Sequence, residues 1–311
     1  MFYPVYERLL LAEIDETPDH VAVIQDGNRR YARERGEDAS KGHVYGAETT
    51  EALLDWACDL GVEKITLYTF STENFERPDD ELDSLFDLME RKLDDLTHDD
   101  RVHENGIRIS GIGDVDRLPD RVVESLREAE EATQGYDSYR LNLAVGYGGR
   151  DELLRASERV LRRVEEGEIE PEEIDSETVS EHIYTREEDV DLVVRTGGDE
   201  RISNFLPWQA KGNESAVYFC APYWPAFRKI DFMRAIRTFS NRERERHDRD
   251  VERAVALVRE IGAEGVGLIP EVSESREGSE VTDGVPEANG LHEVFDRDEV
   301  ERIREEAELA D

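Results

Sequence analysis

Six short apolar runs punctuate the chain: His20–Ile24, Lys64–Phe70, Ile107–Ile112, Tyr139–Val145, Val190–Val194 and Ala216–Phe219. Several are nearly continuous in Val, Ile, Leu and aromatic residues, which suits strands buried on both faces. Between them apolar residues recur at spacings of three and four. In Ala47–Leu60 these are Leu53, Leu54, Ala57 and Leu60, with Gly61 as a stop signal. Pro78 fits the first turn of a helix running to about Leu96, with Leu82, Leu85, Phe86, Met89 and Leu93 on one stripe. Asp151–Val164 and Phe232–Val258 read the same way. The alternation predicts an α/β fold, a six-stranded mostly parallel sheet flanked by helices.

The pattern stops near residue 260. Gly262–Gly290 is rich in Gly, Ser, Glu and Pro without a sustained period and reads as a linker, and a short amphipathic helix follows over about Asp296–Leu309. The expected organisation is an N-terminal segment 1–19, a main domain 20–260 and an acidic linker and extension 261–311. Residues 271–311 hold 15 acids against 4 Arg, which marks a solvated appendage.

Charge changes the picture. The 311 residues carry 39 Lys+Arg and 77 Asp+Glu, a net of −38. Such an excess opposes compaction and disfavours nonspecific contact with nucleic acid or an anionic membrane. Disorder is one source of this composition, and a mean hydropathy of −0.69 points the same way. A folded protein in molar salt is the other, because screening shortens the reach of self-repulsion. With 38% hydrophobic residues and 24 aromatics the chain can build a core, which favours a halophilic protein. Cys58 and Cys220 supply no disulfide framework, no run approaches a membrane span, and Met1–Asp19 lacks signal-peptide character. A cytoplasmic protein is expected.

Three predicted strands end in polar chemistry. After His20–Ile24 comes Asp26-Gly27-Asn28-Arg29-Arg30, then Arg33 and Arg35. A carboxylate beside guanidiniums at a strand's carboxyl end is where open parallel sheets bind ligands. There, N–H groups and Arg hold phosphate oxygens, and a carboxylate holds Mg²⁺ against them. An ordinary turn leading into a basic exposed helix is the plainer reading of that segment alone. Ser71-Thr72-Glu73-Asn74-Phe75-Glu76-Arg77-Pro78 follows the second run, with a polar helix cap as its plain reading. Arg195-Thr196-Gly197-Gly198-Asp199-Glu200-Arg201-Ile202-Ser203-Asn204 follows the fifth, as a second diphosphate site or a simple glycine turn. Neither the P-loop nor the dinucleotide fingerprint is present.

Five ordered blocks carry a resemblance: HVAVIQDGNRRYARERG (20–36), LYTFSTENFERP (67–78), LNLAVGYGGRDEL (141–153), DLVVRTGGDERISNFLPWQ (191–209) and YFCAPYWPAF (218–227). In order and spacing they resemble the cis-prenyltransferases, the undecaprenyl diphosphate synthase family, over about residues 18–247. The resemblance implies a single α/β domain with six parallel strands, a hydrophobic tunnel and a homodimer. It also implies condensation of isopentenyl diphosphate onto an allylic diphosphate with Mg²⁺, forming cis double bonds. Peripheral membrane contact for product release fits this, and nucleic acid does not. By motif, Asp26 would be the essential carboxylate and Mg²⁺ ligand. Gly27, Asn28, Arg29, Arg30 and Tyr31 would hold the allylic diphosphate with His43. Ser71, Thr72, Glu73, Phe75 and Arg77 would line the reacting centre, with Asn74 as the proton-accepting position. Arg195, Arg201, Ile202 and Ser203 would hold isopentenyl diphosphate, and Glu214 stands nearest the second metal-binding Glu. Leu141, Leu143 and Val145 alternate as a tunnel wall would, and as plain core packing would.

The chain departs from the family at several points. Arg29 replaces the usual Gly, Tyr31 the usual Trp and Ala39 an Arg, with Lys41 nearby. The loop Ala210–Ser215 is about two residues longer, and the Arg-x-Gly near the domain end is not reproduced in Arg242–His247. Tyr139 stands where a smaller apolar residue lies near the tunnel floor. Geranylgeranyl diphosphate suits an archaeal setting as the primer, with farnesyl diphosphate as alternative. A non-catalytic partner subunit and a short-chain cis-prenyl diphosphate synthase are the other readings of the family resemblance. Asp79-Asp80-Glu81-Leu82-Asp83 also matches the DDxxD of trans-prenyltransferases, an all-helical family that the strand alternation disfavours.

Overall fold

The computed structural model describes residues 3–185, 189–210 and 215–263. All six predicted strands form: β1 (His20–Ile24), β2 (Lys64–Ser71), β3 (Ile107–Ile112), β4 (Tyr139–Tyr147), β5 (Leu192–Arg195) and β6 (Ala216–Phe219). They build one sheet in the order β3-β4-β2-β1-β5-β6, with every pairing parallel. The core strand β1 is buried throughout, as its continuous apolar run requires when helices cover both faces. Because the strands are parallel, the carboxyl ends of β1, β2 and β5 share one edge: Ile24 pairs with Arg195, and Val23 with Leu67.

The helices are α1 (Tyr3–Glu13), α2 (Asn28–Glu34), α3 (Ala39–Asp59), α4 (Asp79–His98), α5 (Asp100–Glu104), α6 (Asp120–Thr133), α7 (Gly149–Glu165), α8 (Ser176–Ser180) and α9 (Lys229–Ala263). In α4 the acids Asp79, Asp80 and Glu81 occupy the first turn, where the helix dipole favours negative charge. Leu85, Phe86 and Leu93 are its buried face. Pro78 sits immediately before the helix rather than inside it.

The structure lengthens one predicted helix and adds others. α3 begins at Ala39, eight residues before the apolar periodicity starts. Gly42 and Gly46 obscure that first part, since glycine weakens isolated helices. Here they let α2 approach closely: a Cβ on Gly42 would lie 2.0 Å from the Asn28 carbonyl oxygen, and one on Gly46 2.3 Å from Asn28 Oδ1. Tertiary packing thus outweighs propensity. α6 has a mixed inner face, Val122, Ser125, Leu126, Ala129 and Thr133, whose hydroxyl-bearing members dilute the apolar signal.

The chain divides into two compact units. One spans Thr17–Phe239 and holds the whole sheet; the other combines, among the described residues, 3–16 with 240–263. In the latter, α1 buries Leu9 and Leu10, and Ser240 Oγ accepts the Asp15 and Glu16 amides at 2.9 and 3.2 Å. The linker and helix expected after Gly262 lie outside the described residues, apart from the end of α9 at Ala263.

Candidate active site

Asp26 follows β1 and is held by β5 and its loop. Thr196 Oγ1 donates to the Asp26 carbonyl at 2.8 Å and accepts the Asp26 amide at 3.1 Å, and the Trp224 amide donates to the same carbonyl at 2.9 Å. Gly27 then turns the chain with φ +102°, and a Cβ there would sit 2.6 Å from Tyr223 Cδ1, so only glycine fits. The Asp26 carboxylate takes Arg30 Nη2 at 2.9 Å on Oδ1 and Arg195 Nη2 at 2.7 Å on Oδ2. Burial alone would raise its pKa, but the hydrogen bonds and charges of Arg195 and Arg30 outweigh it and hold the carboxyl below its ordinary value.

Arg195 is the centre of the second cluster. Its side chain is 4% exposed; Nη1 reaches the Arg201 carbonyl and Ser203 Oγ, both at 2.5 Å, and Nη2 also reaches Asp199 at 3.1 Å. Arg201 is mostly exposed and pairs with Asp199. Ser203, Asn204 and Leu206 have φ of 47°, 60° and 46°, left-handed values that cost energy in residues other than glycine. The surroundings impose them. Asn204 accepts the Gly149 and Arg150 amides at the start of α7, and Tyr68 Oη donates to the Ser203 carbonyl. Behind them Glu152 is 2% exposed, accepts Tyr147 Oη at 2.5 Å and Gln209 Nε2 at 3.3 Å, and has its pKa raised by burial.

The third cluster joins three elements. Glu81 on α4 takes Arg77 at 2.8 Å and Arg29 at 3.6 Å, with His43 Nε2 at 4.0 Å. Burial, then Arg77 and Arg29, push the His43 pKa down to about 4, so its ring is neutral near pH 7. Ser71 and Asn74 form a capping box, with Asn74 Oδ1 accepting the Ser71 amide at 2.9 Å.

These clusters meet at the mouth of a cavity of about 440 Å³. Of the residues expected from the sequence, Asp26, Asn28, Arg29, His43, Ser71, Glu73, Asn74, Arg77, Arg195, Arg201 and Ser203 line it. Gly27, Arg30, Tyr31, Thr72, Phe75 and Ile202 do not. Arg30 acts behind Asp26 and donates to the Gly197 carbonyl. Tyr31 turns to Arg35 and Tyr45 on the outside. Phe75 packs on Phe70 and under Arg117, and Ile202 packs against the core around Phe205. Glu214 falls outside the described residues. Beyond the mouth the walls turn apolar: Leu54 from α3, Leu85, Met89 and Leu93 from α4, Leu126 from α6, and Leu141, Leu143 and Val145 from β4. Glu81, Thr196 and Tyr68 were missed from the sequence. Thr196 lies within the Arg-Thr-Gly-Gly block, and Glu81 within the Asp79–Asp83 stretch that matches DDxxD.

Among the described residues no three acidic, His or Cys side chains converge as a metal cage. The donor set does fit Mg²⁺ in another way. One carboxylate kept ionised beside two guanidiniums, groups suited to phosphate oxygens, matches an ion that takes one or two carboxylates and completes its shell with phosphates and water.

Comparison with known proteins points the same way as the geometry. The chain is 55% identical over 261 residues, 84% of its own length and 86% of the relative's, to tritrans,polycis-undecaprenyl-diphosphate synthase (geranylgeranyl-diphosphate specific) of Halobacterium salinarum. It is 54% identical over 262 residues to the protein of the same name from Haloarcula marismortui, covering 83% and 86% of the two chains. The crystal structure of lavandulyl diphosphate synthase from Lavandula x intermedia in complex with dimethylallyl diphosphate superposes with a TM-score of 0.69 at 32% identity, covering 72% of this chain and 95% of that one. The Prenyltransf family model, undecaprenyl diphosphate synthase, matches residues 24–247, and the chain belongs to that family.

Proposed function

We propose that this cis-prenyltransferase uses Mg²⁺ to add isopentenyl diphosphate to geranylgeranyl diphosphate, making an undecaprenyl-type polycis diphosphate in a salt-rich cytoplasm. The observation that carries it is the junction of an anion-binding mouth with an apolar cavity, Asp26, Arg29, Arg77 and Arg195 at one end and Leu85, Leu141 and Leu143 at the other. The primer follows from the names of the halobacterial relatives.

In this reading the allylic diphosphate occupies Arg29, Arg77 and neutral His43, displacing Glu81 from the two guanidiniums. Its hydrocarbon lies along the leucine walls. Isopentenyl diphosphate is held by Arg195, Arg201 and Ser203, its alkene facing the allylic C1. Asp26 would hold Mg²⁺ together with diphosphate oxygens. The ion would supply charge neutralisation as the allylic C–O bond breaks. Diphosphate leaves with the electron pair, the terminal alkene carbon bonds to C1, and a proton is lost from the incoming unit. Asn74 is assigned to that proton, its amide oriented by the Ser71 N–H. Arg30 and Arg195 keep Asp26 ionised and aimed, while the apolar walls exclude water from the allylic cation.

The test is incorporation of labelled isopentenyl diphosphate at molar KCl with Mg²⁺ and each allylic primer in turn. Elongation, best from geranylgeranyl diphosphate, is expected. No elongation from any primer would remove the catalytic reading in favour of a partner subunit. A homodimer and peripheral membrane contact belong to the same proposal; among the described residues no helix is long and apolar enough to cross a membrane.

A further inference from the structure

The apolar cavity has one irregularity. Among its leucines stand two charged side chains, Glu51 of α3 and Lys92 of α4, paired at 2.8 Å across the line where the two helices face each other. From His43 to Glu51 along α3 is about 12 Å, and from Glu81 to Lys92 along α4 about 16 Å, at the helical rise. The pair therefore lies well down the hydrocarbon part of the cavity.

The wall is thin at this point. Lys92 and Glu51 line the cavity, yet their side chains are 32% and 34% exposed. On the outer side a groove is lined by Val44, Leu88, Arg91, Lys92, Asp94 and Asp95, so Leu88 and Lys92 face both spaces. Elsewhere the wall is built differently: Val122, Leu126 and Leu141 line the same cavity as buried side chains of a packed core. Both partners also have a second partner that leaves the seam free. Lys92 reaches Asp95 on its own helix at 3.2 Å, and Glu51 Oε2 has Arg101 at 4.0 Å. Opening the pair thus strands neither charge, which is the requirement for an ion pair that must break and re-form.

We propose that the Glu51–Lys92 pair latches a seam between α3 and α4 and sets product length: a chain that outgrows the cavity leaves sideways through this seam, past Leu88. The inference rests on the long-chain reading above. A cavity of about 440 Å³ is the size of a site for one drug-sized ligand, whereas an undecaprenyl chain has eleven prenyl units against the four of a geranylgeranyl primer. The excess must go where the wall yields. A wall of buried core residues yields less than two partly exposed side chains with alternative partners.

The experiment bridges the seam. Glu51→Cys and Lys92→Cys are combined with Cys58→Ser, and the two thiols are joined by a bis-methanethiosulfonate linker that dithiothreitol removes. Elongation of geranylgeranyl diphosphate is followed at molar KCl, with the first condensation rate and the product lengths measured separately. Bridging is expected to leave the first condensation unchanged, remove the longest products and shift the main product to shorter chains, with full recovery on reduction. Equal product lengths before and after reduction, at an unchanged first-step rate, would overturn the latch alone. An unmodified enzyme that stops at a chain short enough for the cavity would overturn the long-chain reading and the latch with it.

Discussion

At the carboxyl ends of β1, β2 and β5, side chain after side chain is held by a charge or a hydrogen bond. Asp26 is fixed by Arg30, Arg195 and, through its backbone, Thr196. Further along α3 and α4 the same cavity is bounded by Leu54, Leu85, Met89 and Leu93, held by packing alone. The mouth depends on identity and geometry, because an arginine aimed at a carboxylate has no substitute of equal shape. The interior depends on volume and apolarity, which many residues share. A change at the mouth should therefore alter chemistry before stability, and a change in the interior should do the reverse.

The largest expected effect is at Asp26. Asp26→Asn keeps the shape and removes the charge, and should lower kcat/KM by about 10²–10³-fold or more, with circular dichroism unchanged. A variant that loses activity only in step with lost structure would break the distinction. Leu141→Ala, at a fully buried position on β4, should cost about 2–5 kcal/mol of stability. Denaturation at constant molar KCl checks this, and KM for isopentenyl diphosphate should hardly move. Glu81→Gln comes next. Freed from their carboxylate, Arg29 and Arg77 should bind the allylic diphosphate tighter but less well oriented, so KM for the primer and kcat should fall together. A rise in KM for the primer would contradict the displacement of Glu81 by substrate.

The last prediction concerns pH at His43. Its folded pKa, about 4, lies below the ordinary 6.5. Between these values the unfolded chain binds a proton that the folded chain refuses, so His43 makes stability fall as pH falls through that window and has no effect above it. His43→Gln should flatten the acid side of the stability curve, measured by thermal denaturation from pH 7 to pH 4. An unchanged slope would mean that the ring accepts its proton beside Arg77 and Arg29.

The strands were legible because a strand buried on both faces is a nearly continuous apolar run, as in β1 and β5, while the edge strand β3 shows only alternating Ile and polar residues. The first part of α3 was not, because the reason for Gly42 and Gly46 is the close approach of α2, which no local pattern contains. The site divides likewise. Asp26, Arg77 and Arg195 stood in motifs at strand ends, where chemistry and position coincide. Tyr31 and Phe75 stood in the same motifs but face Tyr45 and Arg117 instead of the cavity, since a motif fixes residue order and leaves the side of the helix or turn open. Glu81 escaped because its role exists only across three elements, α2, α3 and α4, and the loop before α4.

Net charge follows the same division. Residues 79–100 carry 10 acids against 2 bases, while 26–35 carry four Arg against two acids. Most of the acids in 79–100 face solvent, and of the four Arg in 26–35 Arg29 lines the cavity while Arg30 backs Asp26.

The most direct measurement is a crystal structure with geranylgeranyl thiolodiphosphate, isopentenyl diphosphate and Mg²⁺ bound together. The account predicts the thiolodiphosphate beside Asp26, Arg29 and Arg77, its chain along Leu85 and Leu143, and isopentenyl diphosphate at Arg195 and Ser203. A hydrocarbon chain lying outside the cavity, or both diphosphates bound away from Asp26, would contradict it.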